Sequence, residues 1–340
     1  MHAVRSTTPS VVLLALAIVA ASHVSTMASA APGADGFDWA TIGAVGNAAY
    51  SGPSANGRGR VDYQYKISKL EITTTQWLEF TNTFSTQTNQ FHFTDLGPVF
   101  WGASFDPTYS GPGTRYRLRP GDPNAGMRPV AGIAWRDAAR YCNWLHNGKS
   151  SSLSSLTTGA YDTTTFGGDA NTGYTGALTH LPGAKYWIPT LDEWLKAAYY
   201  DPDRFGKGSG GWWEYTNRSN QEGVSGVPGV GTTSAELILP NFGQYAIPLG
   251  AYTGSVSPWG LFDTSGGARE WTEELTELDG FRFAGGSGAG DSKFLEQIGA
   301  FLTDDPEGVT LNGLRIASAI PNVSTVSLLV IVAFGHRRKR

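Results

Sequence analysis

Ser257-Pro-Trp-Gly-Leu-Phe-Asp-Thr-Ser-Gly-Gly-Ala-Arg-Glu-Trp271 is the stretch of this chain that says most about its fold. A proline and a glycine near its start indicate a turn. Gly266 and Gly267 allow a positive φ or a close approach to another group. Glu270 follows them, beside a large aromatic residue. A carboxylate at such a turn can complete a ring of carbonyl oxygens around a hard cation, or it can form a structural ion pair.

Composition indicates a globular protein with long loops. The 340 residues are 40% hydrophobic, which is enough for one large domain or two small ones. The 44 glycines and 11 tryptophans favour a loop-rich, aromatic-rich globule over a helical bundle. A net charge of −4 gives no sign of a nucleic-acid partner. The single cysteine, Cys142, excludes an intramolecular disulfide and a catalytic dithiol pair.

The opening stretch resembles the signature of the formylglycine-generating enzyme family, the sulfatase-modifying factors, which usually reads S-P-x-G-L-x-D-x-x-G-N-x-W-E-W. Gly267 stands where the family usually has Asn, and Arg269 where it usually has Trp. Further stretches fit the family in the same order and cover most of the chain. The matching signature residues are Ser257, Pro258, Gly260, Leu261, Asp263, Gly266, Glu270 and Trp271.

Three of the matching stretches predict helices. Thr73 with Gln76, and Thr190 with Glu193, predict capping boxes, so Glu193 is interpreted as a cap rather than a catalytic acid. Cys142 falls on an apolar helix face and is interpreted as a small buried hydrophobe. The alternative, a reactive thiol, would need a cationic and partly open site. The predicted apolar faces contain Trp77, Phe80 and Phe84; Ala138, Tyr141, Cys142 and Leu145; and Leu191, Trp194, Leu195 and Ala198.

The resemblance implies an α+β fold of the C-type-lectin-like kind, with little regular secondary structure and long loops. Residues 31–319 are assigned to this domain. Low-complexity insertions are expected at about 149–183 and 203–236, the first as a loop or small hairpin. Alternating apolar residues from Val61 to Ile67 predict a half-buried strand. An acidic patch follows Trp271, made of Glu273, Glu274, Glu277 and Asp279.

The first 30 residues have the features of a secretory signal peptide. Arg5 gives a positive start, Val11–Ala21 is an apolar run, and Ala28-Ser29-Ala30 is a small-residue cleavage site. The alternative, a transmembrane anchor, needs about 20 apolar residues, and this run is shorter. We therefore expect export with cleavage after Ala30.

Residues 320–340 resemble a degraded bacterial PEP-CTERM sorting tail. An apolar run, Val326–Phe334, precedes the basic end His336–Arg340, and Pro321-Asn322-Val323 stands where Pro-Glu-Pro is usual. The resemblance implies recognition and processing by a membrane transpeptidase. A soluble end is the alternative. We expect cell-surface or extracellular localisation, with transient membrane anchoring by this tail.

The resemblance also bears on chemistry. In the oxidase branch, two cysteines after R-G-G-S-W bind copper and oxidise a sulfatase cysteine to formylglycine. The corresponding stretch, Gly286–Ile298, has no cysteine, and Ser292 cannot replace one. The three-His iron site of a sulfoxide-forming branch has no counterpart either. Copper is therefore not expected.

Two hypotheses follow. The first is a non-catalytic binding or structural module on the cell surface, whose ligand would be a glycan or a protein. The second is an enzyme, either a formylglycine-generating oxidase or an unknown activity in the same cleft.

The family also uses structural calcium sites, built largely from backbone carbonyl oxygens. Here Gly267 lacks the usual Asn oxygen, and the loop after the second site is shortened. We therefore expect weak calcium binding around Glu270 and loss of the second site. The alternative is that Glu270 pairs with Arg269 or Arg315. The candidate calcium residues are Glu270, Gly266 and Ala268 at the first site, and Asn241 and Phe242 at the second.

Overall fold

A computed structural model describes residues 34–86 and 100–320 of the chain. The chain divides into the units Met1–Ala31 and Pro32–Arg340, and every described residue belongs to the second. The predicted signal peptide and nearly all of the sorting tail lie outside the described residues, so both stay predictions. Within the described ranges, no helix is long and apolar enough to cross a membrane.

The described α-helices are α1 (Thr74–Thr83), α2 (Trp135–His146) and α3 (Leu191–Tyr199). Both predicted capping boxes are confirmed. The Thr73 hydroxyl accepts the Gln76 N–H at 3.2 Å, and the Gln76 side chain accepts the Thr73 N–H at 2.9 Å. Thr190 and Glu193 form the same pair at 3.1 and 2.8 Å. These bonds satisfy N–H groups that a helix start leaves without partners.

Short strands, short 3₁₀ stretches and long loops make up the rest of the described chain. The strands are β1 (Trp39–Ile42), β2 (Tyr65–Ser68), β3 (Ala103–Phe105), β4 (Tyr116–Leu118), β5 (Gly167–Asp169), β6 (Gly173–Thr175), β7 (Tyr186–Trp187), β8 (Tyr200–Asp201), β9 (Gly211–Trp212), β10 (Arg269–Leu275), β11 (Arg282–Gly285), β12 (Phe301–Asp304), β13 (Asn312–Gly313) and β14 (Ala317–Ser318).

Two four-stranded sheets organise the domain. One has the order β1-β2-β14-β7 and is antiparallel throughout. The other has the order β12-β11-β10-β13, and its β10–β13 pair is parallel. The pairs β3–β4, β5–β6 and β8–β9 form separate two-stranded sheets. The predicted fold class, mixed α and β with little regular structure, is confirmed.

The core is rich in aromatic residues. Trp77 and Phe80 of α1 contact Tyr141 and Trp144 of α2, with ring centroids 5.2 to 5.3 Å apart. Such contacts between offset or tilted rings add to the free energy gained by burial. Cys142 has no exposed surface and packs in the same cluster. Its interpretation as a buried hydrophobe is therefore confirmed.

The first low-complexity insertion contains the hairpin β5–β6, as predicted. Asn143 of α2 holds the start of the insertion. Its amide nitrogen donates to the carbonyls of Leu156 and Tyr161 at 2.9 Å, and its oxygen accepts the N–H groups of Ala160 and Tyr161 at 2.7 Å. A buried amide with every bond made fixes the local backbone.

The strand predicted from Val61 is shorter than expected, because β2 begins at Tyr65. A local asparagine accounts for the difference. Asn47 Oδ1 accepts the Val61 N–H at 3.2 Å, and the Val61 carbonyl accepts the Gly46 N–H at 2.9 Å. These bonds tie Val61 to a turn in place of a strand ladder.

Candidate functional site

The signature stretch begins as a tight turn and ends as strand β10. The Ser257 N–H donates to the Leu261 carbonyl, and the Gly260 N–H donates to the Ser257 carbonyl, both at 2.9 Å. Gly266 and Gly267 have φ values of +78° and +75°. A side chain at either position would be strained, because positive φ favours glycine. The turn brings Glu270, at the start of β10, into the protein interior.

Close packing also explains the two glycines. A Cβ atom on Gly266 would lie 2.7 Å from Ser234 Oγ, and one on Gly267 would lie 2.6 Å from Glu71 Oε1. The space that a side chain at Gly267 would need is therefore taken by the buried Glu71 carboxyl. This is the position at which the family signature usually has Asn.

Glu270 forms a buried ion pair with Arg315. The Arg315 Nε donates to Glu270 Oε2 at 2.9 Å, and Nη2 donates to Oε1 at 2.8 Å. The Trp194 indole N–H donates to the same carboxylate at 2.7 Å. Arg315 also donates to the carbonyls of Ser68 and Phe262, both at 2.7 Å. The two-point geometry is the strong form of an arginine–carboxylate pair.

Two further carboxyl groups are buried beside this pair. Both oxygens of Glu71 accept the Ala268 N–H at 3.2 Å, and Asp263 Oδ2 accepts the Gly250 N–H at 2.6 Å. Burial, with the charge of Glu270, raises the pKa of Glu71 well above its usual range. Burial raises the pKa of Asp263 to about 6. We call Glu71, Asp263, Glu270 and Arg315 the buried acidic cluster.

The structure places the first group of predicted calcium residues at this cluster. The N–H of Gly266 donates to Ser287 Oγ at 2.9 Å, and the Ala268 N–H binds Glu71. A calcium ion at Glu270 would have to displace the Arg315 guanidinium. The arrangement therefore favours the ion-pair alternative. Arg269, the other partner considered, binds Asp291 at 2.7 Å.

The second group, Asn241 and Phe242, lies in the 3₁₀ stretch Pro240–Ala246. Both residues have left-handed backbone angles, with φ of 55° and 59°. Phe242 is 59% exposed. Within the described residues, no group of three or more His, Cys, Asp or Glu side chains is placed to hold a metal ion. Weak calcium binding at the first group and loss of the second site both stay predictions.

The start of the stretch Gly286–Ile298 is covered by the protein's own chain. Gly286 to Ala289 are buried. The Gly290 N–H donates to the Ser234 carbonyl at 2.9 Å, and the Glu236 N–H donates to the Asp291 carbonyl at 2.7 Å. The loop around Ser234 therefore packs on the segment where the oxidase branch has its cysteines.

Two side chains of this segment have structural partners. Glu296 is buried and accepts hydrogen bonds from the hydroxyls of Thr233 and Ser287. Burial raises the pKa of Glu296 to about 7. Ser292 precedes a 3₁₀ turn, and its Oγ accepts the Phe294 N–H at 3.3 Å. Ser292 therefore caps a turn.

Glu273 shows what the sequence pattern missed. It was grouped with an acidic patch, but its side chain is 3% exposed and binds the Tyr161 hydroxyl at 2.5 Å. The backbone N–H and the Nδ1 of His180 also contact it at 2.9 Å. Burial lowers the pKa of His180, but the hydrogen bond and charge of Glu273 outweigh burial and raise it. Glu274 pairs with Arg58 at 2.8 Å. The four acids of the predicted patch therefore do not share one exposed surface, because Glu273 is buried and Glu277 is exposed.

The fold and the cluster define a mixed α and β domain with a scaffold built around buried ion pairs. The family described as the sulfatase-modifying factor enzyme 1-like domain matches residues 42–317. The chain belongs to this family. The expected resemblance is thereby confirmed for the domain.

The chain is also similar to solved structures, of which CarF supports this fold. The crystal structure of CarF matches with a TM-score of 0.50 and 19% identity, covering 84% of this chain and 100% of CarF. Treponema denticola variable protein 1 matches with a TM-score of 0.43 and 16% identity, covering 84% of this chain and 95% of its own. PvdO from Pseudomonas aeruginosa matches with a TM-score of 0.43 and 14% identity, covering 83% of this chain and 91% of PvdO. No curated protein matches the sequence.

Proposed function

We propose that this chain is an exported, surface-retained domain that binds a ligand or has a structural role, and that it does not oxidise sulfatase cysteines. The observation that carries the proposal is the segment Gly286–Ile298. It has no cysteine, its first residues are buried, and the Ser234 loop is hydrogen-bonded across it. A scaffold with intact ion pairs, and an oxidase segment whose first residues are buried, support a binding or structural role.

The one thiol of the chain also supports this proposal. Thiol oxidation and copper binding both need a reactive thiolate. Cys142 lies in helix α2 with no exposed surface. Burial raises its pKa well above the usual range. Cys142 is therefore kept as a neutral thiol in the core, and it lies on a different element from Gly286–Ile298.

The partners proposed for this domain lie outside the cell. The features of residues 1–30 support export. Those of residues 320–340 support recognition and processing of the tail by a membrane transpeptidase. The domain would then meet a surface glycan or protein. A net charge of −4 gives no reason to expect a nucleic acid.

Deleting residues 320–340 tests the surface-retention part of the proposal. We expect the full chain in the cell-surface fraction and the shortened chain in the culture medium, because the apolar run and basic tail are then absent. Fractionation and immunoblotting would measure this distribution. A matched variant lacking residues 1–30 is expected to stay in the cytoplasm. Retention of the shortened chain at the surface would contradict the sorting role of the tail.

A further inference from the structure

A cavity of about 480 Å³ lies between the β5–β6 hairpin and the connection from β10 to β11. Ligand sites commonly measure about 300–1,000 Å³. One wall comes from residues 172–176 and Leu178, and the other from residues 275–280. The buried side chains of Trp135, Arg136 and Arg282 also line the cavity.

The cavity is separate from the buried acidic cluster. Strands β10 and β11 pair Leu275 with Arg282 beside the cavity, and Glu270 with Gly285 at the other end of the same ladder. The chain reaches Gly286–Ile298 only after that other end. A ligand in the cavity would therefore use surfaces that no part of the family signature forms.

Arg282 is the unusual group in the lining. It is 5% exposed, and its guanidinium lies 3.7 Å from the Trp135 ring. It donates to the carbonyls of Glu273 at 2.6 Å and Ala177 at 2.5 Å, while Nε has no partner. Among the described residues, no carboxylate lies within ion-pair distance of Arg282, whereas Arg136 pairs with Glu307 at 2.5 Å.

A buried cation without a paired anion is costly. Burial lowers the pKa of Arg282 to about 10. Carbonyl oxygens and the Trp135 face offset part of this cost. The nearby Glu273 and Glu274 offset a further part, and an anion in the cavity would add a directly paired opposite charge.

The rest of the lining is apolar at one side and acidic at the rim. Phe166 and Leu275 line the walls, and two leucines, Leu178 and Leu278, are 68% and 97% exposed. Glu277 and Asp279 also line the cavity. Their negative charge disfavours ligands with several anionic groups. The lining therefore suits one anionic group joined to an apolar body.

We propose that this cavity binds a small organic monocarboxylate with an aromatic or branched aliphatic body. The carboxylate lies toward Arg282, and the body lies against Phe166 and the two leucines. This inference gives the proposed binding module a ligand class, and so it rests on the proposed function.

Isothermal titration calorimetry of the purified full chain with 3-phenylpropionate tests the inference. We expect one saturable site with a dissociation constant of about 1 mM or tighter, as ligand efficiency for so small a molecule allows. The neutral amide, 3-phenylpropanamide, should bind at least about tenfold more weakly, since it lacks the charge that Arg282 needs. No saturable binding, or equal binding of the amide, would overturn the inference.

Arg282 also bonds the Ala177 carbonyl in the segment after the hairpin, so a rim variant is the better mutational test. Leu178→Asp places a negative charge at the rim and should weaken 3-phenylpropionate binding at least about tenfold. Leu153→Asp is the matched control, since Leu153 is 43% exposed and does not line the cavity. Unchanged binding by Leu178→Asp would exclude this site. A failure here is distinct from failure of the proposed function, which formation of formylglycine by the chain would show.

Discussion

Replacing Arg315 by Met is expected to destabilise the domain by about 3–5 kcal/mol, the usual cost of leaving a buried charge without its partner. Arg315 is fully buried and holds Glu270 at two points. Glu71 and Asp263 lie in the same cluster. Burial raises the pKa of both, and the charge of Arg315 opposes that rise. Urea unfolding of the wild type and the variant would measure the loss.

Arg60→Met is the matched control for this prediction. Arg60 pairs with Asp62 at 2.8 Å, but the two side chains are 54% and 66% exposed. An exposed pair contributes about 0–1 kcal/mol. Adding Glu270→Gln to Arg315→Met should recover part of the lost stability, because the stranded charge is removed. A loss for Arg315→Met as small as that of the control would contradict the role given to the cluster.

The buried carboxyl groups are expected to make the domain less stable as pH rises from about 4 to about 7. Burial raises the pKa of Asp263 to about 6 and of Glu296 to about 7. In the unfolded chain the same carboxyl groups lose their protons near pH 4. Above that pH, ionisation therefore stabilises the unfolded state relative to the folded state. The stability that these groups give is fully present below about pH 4 and is lost as pH rises to their folded values, by about 3 kcal/mol for each group.

A comparison of variants isolates this effect from the other titrating groups. The double variant Asp263→Asn, Glu296→Gln should lose less stability than the wild type between about pH 4 and pH 7. Glu277→Gln, at an exposed position, should keep the wild-type profile. Denaturant unfolding at a series of pH values would measure the three curves. An unchanged slope in the double variant would show that these two carboxyls are not the source.

Local features of the fold could be predicted from the sequence. The capping boxes at Thr73 and Thr190 depend on residues three positions apart, so the sequence alone determines them. Cys142 was placed correctly because its helix face has a regular apolar spacing. Positive φ or close packing at Gly266 and Gly267 could be expected from the same local reasoning. The residue that fills the space beside Gly267, Glu71, could not be predicted in this way.

Partners across the fold could not be predicted in the same way. The sequence left two arginines as possible partners of Glu270. Only the packing of β10 against distant segments shows that Glu270 pairs with Arg315 and that Arg269 pairs with Asp291. Glu273 was grouped with neighbouring acids because its partners Tyr161 and His180 are far away in the sequence. Arg282 gave no signal at all, since an arginine is usually exposed.

Mass spectrometry of a sulfatase peptide tests the central claim most directly. The purified chain would be incubated with a C-x-P-x-R peptide, copper and oxygen, beside an active formylglycine-generating oxidase as a positive control. We predict that the peptide mass stays unchanged with this chain, because Gly286–Ile298 has no thiol and Cys142 is buried. Conversion of the peptide cysteine to the formylglycine aldehyde would contradict the claim.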